Sequence, residues 1–201
     1  MGIIVIESRR GGRLAVTGGF FLMAAFLTLG AGAVGAFAAL YVPVHEGGHW
    51  LCLKAQHIPV REIKLSAFGV QMRRSRAFAS FWQQAACALS GPLFPLPVGA
   101  LLWLLGTWEP VLRIGGAVFG GLSLFHLLPV WPLDGGQALF ALLSSRCRPL
   151  LAETVTRWLS FLFLFLLMTL GFGGLLEQNG NVSLLLLCGY LLLCLLARPV
   201  G

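Results

Sequence analysis

The sequence predicts an all-α polytopic membrane protein with about six transmembrane helices and a small membrane-associated β-hairpin or sheet, in one domain over residues 1–201. Hydrophobic residues make up 58% of the chain and charged residues 10%, whereas a soluble domain is closer to half apolar and a quarter charged. The mean hydropathy of +0.87 points the same way. The apolar residues also fall into runs that are long enough to cross a bilayer.

The first two predicted spans come from one long apolar stretch. Within residues 14–53, Glu46 is the only member of the Lys, Arg, Asp and Glu group. A single helix of that length would be about twice as long as the hydrocarbon layer is thick. We therefore expect two crossings, at about 14–30 and 33–54, with a turn in the glycine-rich part Gly30–Gly35.

The segment 54–79 is basic and less apolar than its neighbours. Within it, Val60–Leu65 alternates loosely between apolar and polar residues, and Gly69 is a candidate turn or bulge. This pattern predicts a short hairpin at about 58–73, lying at the membrane surface. Residues 2–7 have the composition of a further strand in the same small sheet.

Four further apolar stretches complete the predicted topology, at about 81–106, 111–128, 154–176 and 182–197. Six spans put both termini on one side of the membrane. Of the 14 lysines and arginines, all except Arg113 then fall on that side. This is the asymmetry of the positive-inside rule, so we expect a multi-pass protein of the cell membrane with cytoplasmic termini. The net charge of +7 thus reflects topology, and we expect no nucleic-acid partner.

The second predicted span carries an H-E-x-x-H motif, His45-Glu46-Gly47-Gly48-His49. Positions i and i+4 share one face of a helix, so both imidazoles can reach one metal ion. Zinc suits two imidazoles and a carboxylate with a fourth position open, and Glu46 would stand beside the metal as a general base. The alternative is three polar residues on a helix interface. Ionisable groups in an apolar span are functional by default, which favours the metal site.

Asp134 is the acidic residue best placed to be the third ligand. It follows Pro129 and Pro132, which end the fourth predicted span, and it falls on the same side of the membrane as the motif. Gly135 and Gly136 allow a sharp turn there, and irregular backbone at membrane depth is tolerated where it lines a cavity. Taken alone, an ordinary turn aspartate would be preferred. Beside a membrane H-E-x-x-H motif, we interpret Asp134 as a ligand.

Two further features allow more than one interpretation. His126 in the fourth span is a core histidine, a substrate contact or an extra metal ligand, and its spacing favours the first. Ser90-Gly91-Pro92 interrupts the third span, either as a packing kink or as a loosened helix that approaches the site or the substrate. The residues themselves do not separate these alternatives.

These motifs together resemble the site-2 protease family of intramembrane zinc metalloproteases. The resemblance rests on HEGGH in the second span, SGPL in the third and PVWPLDGG after the fourth, and it runs from about Tyr41 to Gly136. The segment IPVREIKLSAFGV also looks like the membrane-associated hairpin of the family. The chain looks nearest to the small members without a PDZ or CBS domain, a group that includes the sporulation protease acting on a pro-sigma factor.

The resemblance implies a zinc endopeptidase. His45, His49 and Asp134 would bind Zn²⁺, and Glu46 would be the general base. The partners would be the lipid bilayer and a membrane-protein substrate, cut within or near its transmembrane segment, and the oligomeric state is left open. The hairpin would pair with an extended substrate, because a helix must unwind to expose its peptide bond.

The chain departs from the family pattern at His126, where the family usually has asparagine. That asparagine is thought to hold substrate or the developing oxyanion, and a histidine could donate the same hydrogen bond. The resemblance therefore makes His126 a candidate substrate or oxyanion contact, together with Ser90, Gly91 and Pro92.

Two other functions are compatible with the motifs. An inactive relative would bind transmembrane segments without cutting them; the intact Glu46 argues against it, whereas the histidine at position 126 leaves it open. A membrane metal transporter would need polar residues at several depths. Here the polar groups cluster at one end of the spans and the last two spans are almost entirely apolar, which disfavours transport.

Overall fold

The structure is a computed structural model that describes residues 3–7, 13–17, 25, 30–66, 69–74, 78, 80–176 and 182–197. Its strands and helices follow in chain order: β1 Ile3–Glu7, β2 Arg13–Thr17, α1 Gly32–Ala55, β3 Val60–Ser66, β4 Gly69–Arg74, α2 Phe81–Leu93, α3 Pro95–Leu105, α4 Pro110–His126, α5 Asp134–Ser144, α6 Pro149–Leu176 and α7 Ser183–Leu196. The chain divides into two compact units, one comprising Met1–Ala79 with Ser90–Phe125, the other Ser80–Leu89 with His126–Gly201.

The first unit contains a four-stranded sheet in the order β1-β2-β3-β4. The pairs β1–β2 and β3–β4 are antiparallel, and β2 runs parallel to β3. The predicted hairpin segment at 58–73 thus forms two paired strands, and the predicted strand at 2–7 coincides with β1. The location of this sheet at a membrane surface stays a prediction.

Strand β2 corrects the predicted start of the first span. Residues 14–17 were assigned to that span, but Leu14 pairs with Ile6 on one side and with Ile63 on the other. Hydropathy alone does not distinguish a short apolar strand from the end of an apolar helix, and the β-branched Val16 and Thr17 favour extended backbone. The rest of the predicted span lies outside the described residues, apart from Ala25 and Gly30.

Helix α1 carries the H-E-x-x-H motif in its second half. It begins at Gly32, which has a φ of +54°, a conformation that glycine adopts without steric cost. Gly35, which was predicted in the turn, therefore lies inside the helix. The buried residues of α1 follow one face of the helix and are Gly35, Tyr41, His45, Gly48 and Leu53.

The predicted third span at 81–106 consists of two helices. The helix α2 ends at Leu93 and α3 begins at Pro95, so Phe94 stands between them. Proline has no backbone N–H to continue the hydrogen-bond ladder of the preceding helix, which explains the break at this point. The fourth predicted span at 111–128 corresponds to α4, which ends earlier, at His126.

The second unit contains α5, a helix that the sequence interpretation did not predict. Asp134 is its first residue, rather than a residue of a sharp turn. The two glycines that follow are buried, and a Cβ atom on Gly135 or Gly136 would clash with backbone atoms of the segment 127–131. The glycines therefore allow close packing of the first turn of α5 against the preceding loop.

Two of the described helical segments, Phe81–Leu105 and Pro149–Leu175, are long and apolar enough to cross a membrane. The first of them comprises α2 and α3. The last helix, Ser183–Leu196, is apolar but shorter. The helix α6 begins at Pro149, ahead of the predicted residue 154, and α7 matches the predicted span at 182–197 closely. The count of six transmembrane helices stays a prediction.

Candidate metal centre

The two histidines of the motif lie on one face of α1. Their ring centroids are 4.9 Å apart and the ring planes are nearly perpendicular, at 84°. His45 is buried, with 5% of its surface exposed, and His49 is half-buried. Residues four apart on a helix are neighbours, so a single helical turn is sufficient to bring these imidazoles together.

Behind His45 lies Tyr41, one helical turn earlier on α1. Its Oη atom is 3.2 Å from Nδ1 of His45, and the Oγ atom of Ser123 on α4 donates to Oη at 3.4 Å. Tyr41 is 2% exposed and Ser123 is fully buried. The sequence motifs assign no role in the site to Tyr41. Its spacing of four residues from His45 was the available signal for this contact.

Gly48 and Gly91 permit a very close approach between α1 and α2 at the motif. A Cβ atom on Gly48 would clash with the carbonyl oxygen of Ser90 and lie 2.7 Å from Cβ of Phe94, and a Cβ atom on Gly91 would clash with the imidazole of His49. Ser90 and Gly91 therefore pack directly on the half of α1 that carries the motif. A role of these residues in contacting substrate stays a prediction.

We expect Gly91→Ala to weaken zinc binding by at least about tenfold, the lower end of the range for residues that support metal ligands. The added methyl group would displace the imidazole of His49 from its place on α1. Zinc affinity of the purified full chain, measured by competition with a chromophoric chelator, checks this expectation.

Gly120→Ala is the matched control for this variant. Gly120 is also a helical glycine, in α4, but a Cβ atom there would meet no heavy atom within 4 Å. Alanine favours helix more than glycine does, so this variant is expected to keep both its stability and its zinc affinity. Equal affinities for Gly91→Ala and Gly120→Ala would show that His49 does not depend on this packing.

At the start of α5, the side chain of Asp134 meets that of His126. Nδ1 of His126 lies 3.1 Å from Oδ2 of Asp134, and the aspartate is the more buried of the two, with 13% of its side chain exposed against 31%. A neutral imidazole with its proton on Nδ1 donates to this oxygen and fixes the rotation of the carboxylate. The roles predicted for His126 as a substrate or oxyanion contact remain predictions.

The loop before Asp134 is held by polar contacts within the second unit. The backbone N–H of Trp131 donates to Oγ of Ser160 on α6 at 2.9 Å, and Nε2 of Gln137 donates to the carbonyl oxygen of Pro132 at 3.0 Å. Ser160 is fully buried in an otherwise largely apolar helix. These contacts satisfy irregular backbone that would be costly to leave unpaired away from water.

His45 and His49 offer two imidazoles within the first unit, and Asp134, the predicted third ligand, offers a carboxylate within the second. Two imidazoles and one carboxylate form a donor set that zinc prefers in catalytic sites. Glu46, between the two histidines in sequence, is half-buried. The residues present therefore fit a zinc ion.

The chain is similar to known proteins in sequence and in fold. No protein-family model matches the chain. Over 105 residues, or 49% of the chain, it is 37% identical to a Synechocystis protein that carries the name of a zinc metalloprotease, and the matched part covers 28% of that relative. The site-2 protease from Methanocaldococcus jannaschii matches over 100% of this chain and 97% of its own, with a TM-score of 0.67 and 19% identity.

The two comparisons carry different information. The Synechocystis protein, named as a zinc metalloprotease, is similar in sequence over part of each chain. The archaeal structure supports the arrangement of helices and strands over nearly all of both chains. The predicted placement beside the sporulation proteases is not addressed by either. The chain therefore has the fold of a site-2 protease, and its resemblance to the site-2 protease family is confirmed.

Proposed function

We propose that this protein is an intramembrane zinc metalloprotease, which hydrolyses a peptide bond within or near the transmembrane segment of another membrane protein. The observation that carries the proposal is the H-E-x-x-H motif on α1, with the imidazoles of His45 and His49 side by side. The availability of Asp134 as a carboxylate donor and the sequence similarity to a protein named as a zinc metalloprotease support it.

His45, His49 and Asp134 would hold the zinc ion. Bound there, zinc would supply a Lewis acid that polarises the scissile carbonyl and makes water more acidic. The contact between His126 and Asp134 keeps the carboxylate in one orientation, and the contact between Tyr41 and His45 does the same for an imidazole. Such supporting contacts commonly set both the position and the basicity of metal ligands.

Glu46 would be the general base. It follows His45 directly on α1 and is half-buried. There it would accept a proton from the attacking water and pass that proton to the leaving amine. His126 would contribute a hydrogen bond to substrate or to the developing oxyanion if its Nε2 faces the scissile bond.

The substrate would be an extended segment released from a transmembrane helix. In the sheet order β1-β2-β3-β4, the strand β4 lies at an edge. An edge strand offers unpaired backbone groups to an extended peptide, and the basic residues of this segment would steer it. We propose that the protein is multi-pass with cytoplasmic termini. The apolar helices and the bias of lysine and arginine support this orientation.

A comparison of membrane-protein fragments in cells tests the proposal. Cells that carry the full wild-type chain are compared with cells that carry His45→Ala/His49→Ala, which lacks both imidazoles. The expected result is a membrane protein with a new terminus in or near its transmembrane segment, present with the wild type alone. Identical fragments in both cells would favour an inactive protein that binds transmembrane segments, and new termini only in water-soluble domains would contradict intramembrane cleavage.

A further inference from the structure

A chain of three buried side chains stands behind the metal-binding half of α1. Ser123, Tyr41 and His45 are 0%, 2% and 5% exposed. Their polar atoms follow one another at hydrogen-bonding distances, with Oγ of Ser123 3.4 Å from Oη of Tyr41 and that oxygen 3.2 Å from Nδ1 of His45. Buried polar groups are costly unless they are satisfied, so this chain is a built feature of the first unit.

The phenol ring of Tyr41 has little freedom to move. It meets the ring of Phe119 on α4 edge to face, with centroids 5.4 Å apart and planes at 85°. On its other side it lies 5.4 Å from the ring of His45, tilted by 32°. Edge-to-face contact adds a directional preference to the packing, so the hydroxyl group is aimed at the imidazole by the fold.

The position of this hydroxyl group decides which nitrogen of His45 can serve a metal. Nδ1 faces Tyr41, so Nε2 is the nitrogen for the ion. An imidazole that binds through Nε2 as a neutral ligand carries its proton on Nδ1, and Nδ1–H then donates to Oη of Tyr41. The oxygen of Tyr41 accepts from Nδ1 and from Ser123 at once, which is within the capacity of a phenol oxygen.

We propose that Tyr41 is a positioning residue for the metal site. It fixes the tautomer and the rotation of His45, with Ser123 orienting the phenol oxygen. The inference rests on the proposed zinc site and deepens it, because it names residues that lie outside the H-E-x-x-H motif. Hydrogen bonds to the second nitrogen of a ligating imidazole commonly support metal affinity in this way.

The first test is the zinc affinity of Tyr41→Phe, with the full chain purified in detergent micelles and zinc partitioned against a chromophoric chelator. This variant keeps the ring and removes only the hydroxyl group. We expect its affinity to fall by about tenfold. The protein has two tyrosines, so Tyr190→Phe is the matched control. Tyr190 is 56% exposed on α7 and is expected to leave the affinity unchanged.

The second test reads the tautomer itself. Nitrogen NMR of the zinc-loaded chain with ¹⁵N-labelled histidine is expected to show protonated Nδ1 and bound Nε2 for His45 in the wild type. In Tyr41→Phe we expect a second population or faster exchange of the Nδ1 proton. A residue that only filled space would not change this signal. Thermal unfolding of the metal-free variants shows whether they remain folded.

Ser123→Ala is an independent test of the same series of hydrogen bonds. Its effect on zinc affinity is expected to be smaller than that of Tyr41→Phe and to vanish when Tyr41 is already phenylalanine, since Ser123 acts through the phenol oxygen. If the losses of zinc affinity in the two single variants added up in the double variant, Ser123 would not act through Tyr41.

The outcomes separate this inference from the proposed function. A wild type that binds zinc, with unchanged affinity and an unchanged His45 signal in Tyr41→Phe, overturns the inference and leaves the zinc protease standing. A loss of equal size in Tyr190→Phe overturns it as well. A wild-type chain that binds no zinc contradicts the proposed function, and the role of Tyr41 falls with it.

Discussion

Glu46→Gln is expected to lower the rate of proteolysis by about 10²- to 10⁴-fold, the range that a positioned general base contributes. The amide has nearly the same shape as the carboxylate but does not accept a proton from water. Glu46 is not one of the proposed zinc ligands, so the zinc content is expected to stay at the wild-type level. Cleavage of a membrane-protein substrate in reconstituted vesicles, with zinc measured on the same sample, checks both expectations.

Glu109→Gln is the matched control for this result. Glu109 is exposed in the short segment before α4 and lies outside the H-E-x-x-H motif. Its amide variant is expected to cleave at the wild-type rate. Retained proteolysis in Glu46→Gln would remove Glu46 from the role of general base, and loss of zinc in a folded Glu46→Gln variant would make it a ligand instead.

Asp134→Ala is expected to reduce zinc affinity by more than about 100-fold. Residues that merely support a ligand cost 10- to 100-fold when they are replaced, so the loss of a ligand itself should exceed that range. The variant also leaves the imidazole of His126 without the carboxylate that it contacts. Chelator competition on the full chain measures the affinity, and circular dichroism follows the helix content.

For Asp134→Ala, the appropriate comparison is His57→Ala. His57 is a fourth histidine of the chain, exposed just after the end of α1, and its removal is expected to leave zinc affinity unchanged. If Asp134→Ala bound zinc as tightly as His57→Ala does, the third ligand would have to be another residue. If both variants lost zinc, the measurement would be reporting a general loss of folding.

Features that depend on the residues of a single helix or strand segment could be predicted from the sequence. The spacing of His45 and His49 depends only on helical geometry, and α1 reproduces it. Long apolar runs likewise predicted α4, α6 and α7 to within a few residues of their observed ends. The paired strands β3 and β4 fall in the segment for which loose alternation and Gly69 predict a hairpin.

Features that depend on contacts between distant segments cannot be predicted from one local stretch of sequence. The strand β2 is defined by partners on both of its sides, and its residues alone read as the start of an apolar span. The helix α5 follows two prolines and opens with two glycines, a composition that indicates a turn until the close packing of Gly135 and Gly136 is known. The hydrogen bond between Ser123 and Tyr41 joins two helices, and neither residue alone indicates it.

The hydrogen bond from Trp131 to Ser160 has a consequence for genetics. Removing the hydroxyl group of Ser160 would break this hydrogen bond, at a cost of about 0.5–1.5 kcal/mol, in the loop that leads to Asp134. An unbiased screen for loss of function should therefore recover substitutions at Ser160, in an apolar helix far along the chain from HEGGH. Such substitutions would act by loosening the loop that holds Asp134, a proposed ligand. They would not be evidence that α6 binds substrate.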